Sequence, residues 1–418
     1  YLDVNPSQYT NAQASLGGPI IPSRLGFFVL GRYFQNDGWL YGSRIFNVDG
    51  TPGDSALVPM NAFEKYSGQA TFKLRASNSI NLTLTTLASL SLGDEGRNYF
   101  NFRQNPDGIR SYRDEGLTAN LQLTHTLSNR AFYTLNATTF YKRNETNAFD
   151  TVEEYGNNTF LQQTPEFVCT DFDPVSGAPT DSVRVLQGPG RFLRGGIDPD
   201  RFQRETRNVA LKGDLTWQAL DEHLVKMGVE VRQDDLFLES FALIVGDDGT
   251  LQVPGRETNE FQLIEDVRPL TVSAYIQDKA EYESFVINAG LRFDYFNSSG
   301  VVPAKYQSSP RLGIAYPVTA SGVIHFSYGY FFQIPTYEFL FANPGYRVGN
   351  TSGTYGPFGN PNLDPQRTVM YEIGLQQGFG DDFLLDVTGF YRDIEDWVSV
   401  SFPQEAALPG VSYLTYTN

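Results

Sequence analysis

Apolar and polar side chains alternate with a period of two along most of the 418 residues, and this pattern constrains the fold more than any other feature. Val225, Met227, Val229 and Val231 interleave with Lys226, Gly228, Glu230 and Arg232. Val209, Leu211, Leu215 and Trp217 interleave with Lys212, Asp214 and Thr216, and Ile287, Ala289, Leu291 and Phe293 with Asn288, Arg292 and Asp294. Side chains two apart share one face of a strand, so each run predicts a strand with one apolar and one polar surface. About fourteen such runs occur: 10–20, 24–34, 66–76, 80–91, 111–127, 131–142, 204–218, 223–236, 267–280, 285–296, 305–317, 323–332, 367–378 and 383–393. Helical periodicity is hard to find, and the chain reads as all-β.

The connections between these runs alternate between short and long. The short ones are 21–23, 77–79, 128–130, 219–222, 281–284, 318–322 and the turn at 380–382. The long ones are 35–65, 92–110, 143–203, 237–266, 297–304 and 333–366, with a final stretch from 394. A soluble sandwich mixes its loop lengths, whereas an outer-membrane barrel has short periplasmic turns and long extracellular loops. Runs of this length also suffice to cross the hydrocarbon, which takes about 9–11 tilted residues. The expected fold is an antiparallel transmembrane β-barrel.

Aromatics make up 14% of the chain and collect at strand ends. Tyr33, Phe34, Tyr112, Tyr141, Phe293, Tyr295, Tyr330, Phe331, Phe390 and Tyr391 fall beside long loops. Phe132, Tyr133, Trp217, Phe285, Tyr316, Phe379 and Phe383 fall beside short turns, which reads as two interfacial girdles. In a bilayer the outward face must be apolar while the lumen is wet. Asn120, Gln122, Lys212, Asp214, Arg232, Arg292, Asp294 and Glu372 are therefore expected to face the lumen, as candidates for contact with a solute.

Other chemistries find little support. A net charge of −17 argues against nucleic acid as a partner, because phosphate neutralisation needs surplus Lys and Arg. The single cysteine, Cys169, excludes an intrachain disulfide framework, and no apolar stretch reaches the roughly 18–20 residues of a spanning helix. The first residues lack the pattern of a signal peptide, so the chain is expected to be intracellular or else a mature or partial product. No catalytic motif, cofactor fingerprint or metal centre emerges, and no enzyme is expected. His125, His223 and His325 are isolated and read as structural. Asp171/Asp173, Asp198/Asp200 and Asp247/Asp248 lack a full calcium-loop pattern and read as solvated turn residues. Gly188 to Gly196 reads as a flexible loop, and Gly246 to Gly249 as the tip of a small hairpin.

The segment Ser308-Ser309-Pro310-Arg311-Leu312-Gly313-Ile314-Ala315-Tyr316-Pro317 precedes the strand Ser327-Tyr328-Gly329-Tyr330-Phe331-Phe332-Gln333-Ile334-Pro335. Gly359-Asn360-Pro361-Asn362-Leu363-Asp364-Pro365 then leads into Tyr371-Glu372-Ile373-Gly374-Leu375, followed by Phe390-Tyr391-Arg392-Asp393-Ile394. In this order the segments resemble the barrel of TonB-dependent outer-membrane receptors. Upstream, Leu16-Gly17-Gly18-Pro19-Ile20 with Phe27-Phe28 resembles the barrel entry of the large type, which carries an N-terminal carboxypeptidase-like regulatory domain.

The resemblance implies energy-coupled uptake of a scarce solute across the bacterial outer membrane of a Gram-negative cell. Binding would involve extracellular loops and lumen. The implied partners are outer-membrane lipid and the inner-membrane TonB complex acting through a plug domain, and the resemblance admits a surface lipoprotein. It also implies about 22 strands and a plugged lumen. With about 14 strands and no plug sequence, residues 1–418 are expected to be a partial barrel domain. Two alternatives stay open at this point: a self-contained 14-strand passive channel and a surface all-β adhesin.

Overall fold

Fourteen long strands form one antiparallel sheet whose spatial order follows the order of the chain. They are β1 Tyr9–Ile21, β2 Leu25–Asn36, β3 Phe63–Arg75, β4 Ile80–Asp94, β5 Ser111–Ser128, β6 Ala131–Asn147 and β7 Asp200–Gln218. The series continues with β8 His223–Ala242, β9 Leu270–Tyr282, β10 Phe285–Asn297, β11 Lys305–Thr319, β12 Gly322–Gln333, β13 Gln366–Phe379 and β14 Phe383–Glu395. The computed structural model describes residues 9–96, 98–151, 154–155, 166–172, 179–185, 192–193, 195–245, 251–255, 261–298, 303–342, 353–380, 382–401 and 411–418.

All fourteen expected strands are present, and the short turns fall within two residues of their expected positions. One of them is closed by Arg24 N donating to Ile21 O at 3.0 Å, and another by Gly380 in the left-handed region at φ 63°. The differences lie at the opposite ends. β6 runs to Asn147, β7 begins at Asp200 and β8 runs to Ala242, each well past the apolar alternation. The added residues of β6, Arg143 to Asn147, are polar on both faces, so the pattern fades although the backbone ladder continues, whereas those of β8 include Leu238 and Phe241, which pack into the loop clusters. Ion pairs then line the extensions, as where Arg143 meets Glu145 at 2.8 Å and Glu205 at 3.6 Å.

Among the described residues β1 pairs only with β2 and β14 only with β13, so the sheet is open at both edges. Its two faces are unlike. Val209, Leu211, Ile276, Leu291 and Ile373 stand exposed on one face, where an aqueous fold would not leave them. The register puts Tyr33, Tyr141, Phe293, Tyr295, Tyr330 and Tyr391 on that apolar face near the loops. Tyr133, Trp217, Phe285, Tyr316, Phe379 and Phe383 share it near the turns. Phe34, Tyr112, Phe132, Phe331 and Phe390 point the other way, one residue out of phase, and leave the girdles.

The buried apolar core lies at the loop end rather than between strands. Leu236 of β8 and Phe296 of β10 pack with Leu340 and Phe341 of the loop helix Tyr337–Phe341, and with Ile264, Leu363 and Tyr416. Tyr155, Ile197, Phe241 and Leu243 form a second cluster, and Met60, Phe102 and Ile109 a third. Each fully buried Leu or Phe contributes about 1.5–3 kcal/mol, enough for these loops to hold a fixed shape. The stretch after β14 joins them. Val411–Thr417 pairs parallel with Gly353–Phe358 and antiparallel with Ser399–Ser401.

Two sequence readings change in these loops. Asp198 is buried, and its carboxylate meets Arg110 Nε at 3.4 Å, while Asp200 meets Arg110 NH1 at 3.5 Å. The pair grips a buried guanidinium, shared with Glu95 at 2.9 Å, instead of lying solvated in a turn. The hairpin Ile244–Val245 with Leu251–Gln252 flanks its expected tip, which lies outside the described residues. Asp173, Asp247 and Asp248 also lie outside them.

Candidate solute path along the inner wall

The face opposite the exposed leucines carries the polar residues, and alternation alone places them there. Val209 and Leu211 point outward, so Lys212 and Asp214 of β7 point inward, and Val229 and Val231 do the same for Arg232 of β8. Leu291 and Phe293 set Arg292 and Asp294 of β10 inward, Leu117 and Leu121 set Asn120 and Gln122 of β5, and Tyr371 and Ile373 set Glu372 of β13. All eight sequence candidates therefore share the inner wall.

Register joins several of them into rows across the strands. Asp214, Gly228, Tyr275, Arg292 and Ser309 are successive partners on β7 to β11. Tyr275 donates its hydroxyl to Asp214 Oδ1 at 2.8 Å, lying across Gly228. A Cβ added at Gly228 would meet the Tyr275 ring at 2.5 Å, so glycine is what lets the ring cross the strand. Lys212 reaches Asp214 at 3.5 Å, Arg232 reaches Asp234 at 3.2 Å, and Arg292 donates to Asp294 at 2.8–2.9 Å. Ser273 adds a 2.8 Å hydrogen bond to Asp294. Thr138 donates to Asn120 at 2.9 Å, and His325 stands 3.6 Å from Glu372.

Asp234 ties the wall to the loops. Its buried carboxylate accepts from Asn208 Nδ2 at 2.7 Å and from the Tyr337 hydroxyl at 2.6 Å, besides pairing with Arg232. Burial pushes the Tyr337 hydroxyl above its ordinary pKa, and the bond to Asp234 pushes it the same way. The phenol thus stays a donor through neutral pH and pins the loop helix to β8.

Asp234, Tyr275 and Tyr337 are absent from the sequence candidates. A usable signal existed for Asp234, because Lys212-Gly213-Asp214, Arg232-Gln233-Asp234 and Arg292-Phe293-Asp294 repeat one pattern. A base and an acid two apart in a strand share a face and neutralise each other. Tyr337 sits in a loop, where no periodicity points at it. The three histidines find hydrogen-bonding or acidic neighbours. His125 meets the Tyr133 hydroxyl at 3.1 Å, and His223 meets Asp278 at 2.7 Å and the Tyr282 hydroxyl at 3.2 Å. Among the described residues no group of acids, histidines or cysteine has metal-binding geometry, and no helix is long and apolar enough to cross a membrane.

Residues 61–418 match the family described as TonB dependent receptor-like, beta-barrel. No curated protein matches the sequence. Among solved structures the chain superposes on the outer membrane transporter YddB from Escherichia coli with a TM-score of 0.61 at 15% identity, covering 98% of this chain and 50% of that one. The alcaligin outer membrane receptor FauA from Bordetella pertussis gives 0.55 at 12% identity, covering 99% and 54%. The FrpB iron transporter from Neisseria meningitidis gives 0.56 at 15%, covering 97% and 55%. At these identities the likeness shows the fold, and the chain spans about half the length of the structures it matches.

Proposed function

The chain belongs to the TonB-dependent receptor-like β-barrel family, and on that premise we propose that it forms part of the wall of an outer-membrane transporter for energy-coupled uptake of a scarce solute. Membership places the sheet in the outer membrane, with its exposed leucines and isoleucines in lipid. The family and the matched structures are receptors and transporters, not enzymes. We read these 418 residues as one portion of the barrel, to be closed by further strands and filled by a plug, because β1 and β14 each carry a free edge. The TonB complex would act through that plug, and no catalytic role is assigned.

One observation carries the reading: a wall that is apolar outside and polar inside, with packed loops at its long-loop end. In this proposal the solute meets the loops first and then the eight inward residues, Asn120 to Glu372. The cargoes named for two of the matched structures, alcaligin and iron, set the first panel of solutes to try.

The test is uptake of that panel by Gram-negative cells carrying the full-length protein, with and without an uncoupler and a TonB deletion. Accumulation that collapses in both conditions supports the transporter. A passive channel would keep filling the cell under the uncoupler, and that result would reject the energy-coupled reading.

A further inference from the structure

The lipid-facing side of β6 to β10 is not evenly filled. Register aligns Leu135, Gly213, Val229, Ala274 and Phe293 in one outward row, with Ile276 on the next row towards the turns. Gly213 and Ala274 are the small members, and between their taller neighbours runs an apolar groove of about 610 Å³. A Cβ added at Gly213 would already stand 3.2 Å from Leu135, so the glycine keeps that floor low. These strands lie within the sheet, away from both free edges. Neither further strands nor a plug would cover their outer face, which meets bilayer lipid.

A carboxylate stands at the turn-side end of this groove. Asp278 follows Ile276 by two residues on β9, so it shares the outward face and sits about 7 Å further along the strand. It lies on the register row of Trp217, a girdle residue, with Val225 between them. Its side chain is 39% exposed. His223, the first residue of β8, places Nδ1 2.7 Å from Asp278 Oδ2 and Nε2 3.2 Å from the Tyr282 hydroxyl. Asp278 Oδ1 has no hydrogen-bond partner among the described residues. The lysines of this end, Lys226 and Lys279, alternate with outward Val225, Met227 and Asp278 and so face inward. The adjoining turns add exposed Glu222 and Glu283. A carboxylate on the lipid side of a barrel is costly unless a group at headgroup depth answers it.

The groove suits a hydrocarbon chain, and the carboxylate beside it selects the headgroup that comes with the chain. An anionic headgroup would meet Asp278 and the two glutamates as like charges. A quaternary ammonium carries the right charge but has no N–H to donate. A primary ammonium both neutralises the carboxylate and donates to it. We propose that this outer face docks one phospholipid with a primary-ammonium headgroup, its acyl chain in the Gly213–Ala274 groove and its ammonium against Asp278. The inference concerns the lipid-facing side alone and stands or falls independently of the solute on the inner wall.

The probes are the dioleoyl forms of phosphatidylethanolamine, phosphatidylglycerol and phosphatidylcholine. Each is titrated into the intact full-length protein in detergent and read by native mass spectrometry. Phosphatidylethanolamine is expected to bind about fivefold tighter than either other lipid. Asp278→Asn should abolish that preference while leaving the groove able to hold chains. Ala274→Phe fills the groove, leaves Asp278 in place, and should weaken phosphatidylethanolamine binding about fivefold. It carries the test should the Asn variant not fold. Equal affinity for the three lipids, a preference that survives Asp278→Asn, or unchanged binding in Ala274→Phe would each overturn the site. So would a lipid-free dimer that Ala274→Phe splits, because the groove would then belong to a second copy of the chain.

Discussion

The inner walls of β7–β10 and of β11–β14 are built from the same alternation, yet the three base-x-Asp pairs all lie on the first. On the first, Lys212, Arg232 and Arg292 are each answered by an aspartate on their own strand, and Tyr275, Ser273 and Asn208 fill remaining acceptor positions. On the second, Arg311 rests on a ring and Arg392 on a sulfur. A matched pair keeps its shape and presents little net field. The wall is thus braced by same-strand pairs on one stretch, and by ring, sulfur and loop contacts on the other, as where Lys305 reaches Asp364 at 2.7 Å.

The largest expected effect tests the rigid side. Asp234→Ala removes the acceptor of Asn208, Tyr337 and Arg232 at once and should cost about 2–3 kcal/mol, read by urea unfolding in detergent. Tyr337→Phe isolates the link to the loop helix and should cost about 1 kcal/mol. An Asp234 variant as stable as the parent would mean that the wall does not depend on its pairing.

Converting one side into the other is the sharper trial. Asp294→Asn leaves Arg292 without its anion and should cost about 1 kcal/mol, since that guanidinium is partly exposed. Gly329→Ala probes the ring platform, because the new methyl displaces Phe331 from beneath Arg311. The lost cation–π contact should cost about 0.5–1 kcal/mol of stability, read by urea unfolding in detergent. The smallest effect belongs to neither wall. Arg130 and Asp221 pair at 2.5 Å on exposed turns, and Arg130→Gln should change stability by less than about 1 kcal/mol.

Much of this was legible before any coordinates. Strand existence, hairpin order and the inward set from Asn120 to Glu372 follow from a period of two, because a strand has only two faces. The same rule, applied strictly, would have moved Phe34, Tyr112, Phe132, Phe331 and Phe390 off the girdles, since strand-end position does not decide face. The base-x-Asp repeat would likewise have supplied Asp234. The strand end at Asn147 was harder, because a ladder between two polar faces leaves no hydropathy trace, and that at Ala242 was harder because Leu238 and Phe241 answer to loop packing and not to strand alternation.

The sequence by itself determined which residues face lipid and which face inward, since backbone geometry converts alternation into sidedness with no reference to distant chain. The tertiary structure alone decided which inward residues meet. Tyr275 reaches Asp214 across Gly228, Tyr337 comes from a loop to Asp234, and Arg311 and Arg392 share a row four strands wide. Those meetings depend on register between strands far apart in the chain and on packing of loops over their ends. Neither is encoded in any local pattern, because both are fixed only when the whole sheet is assembled.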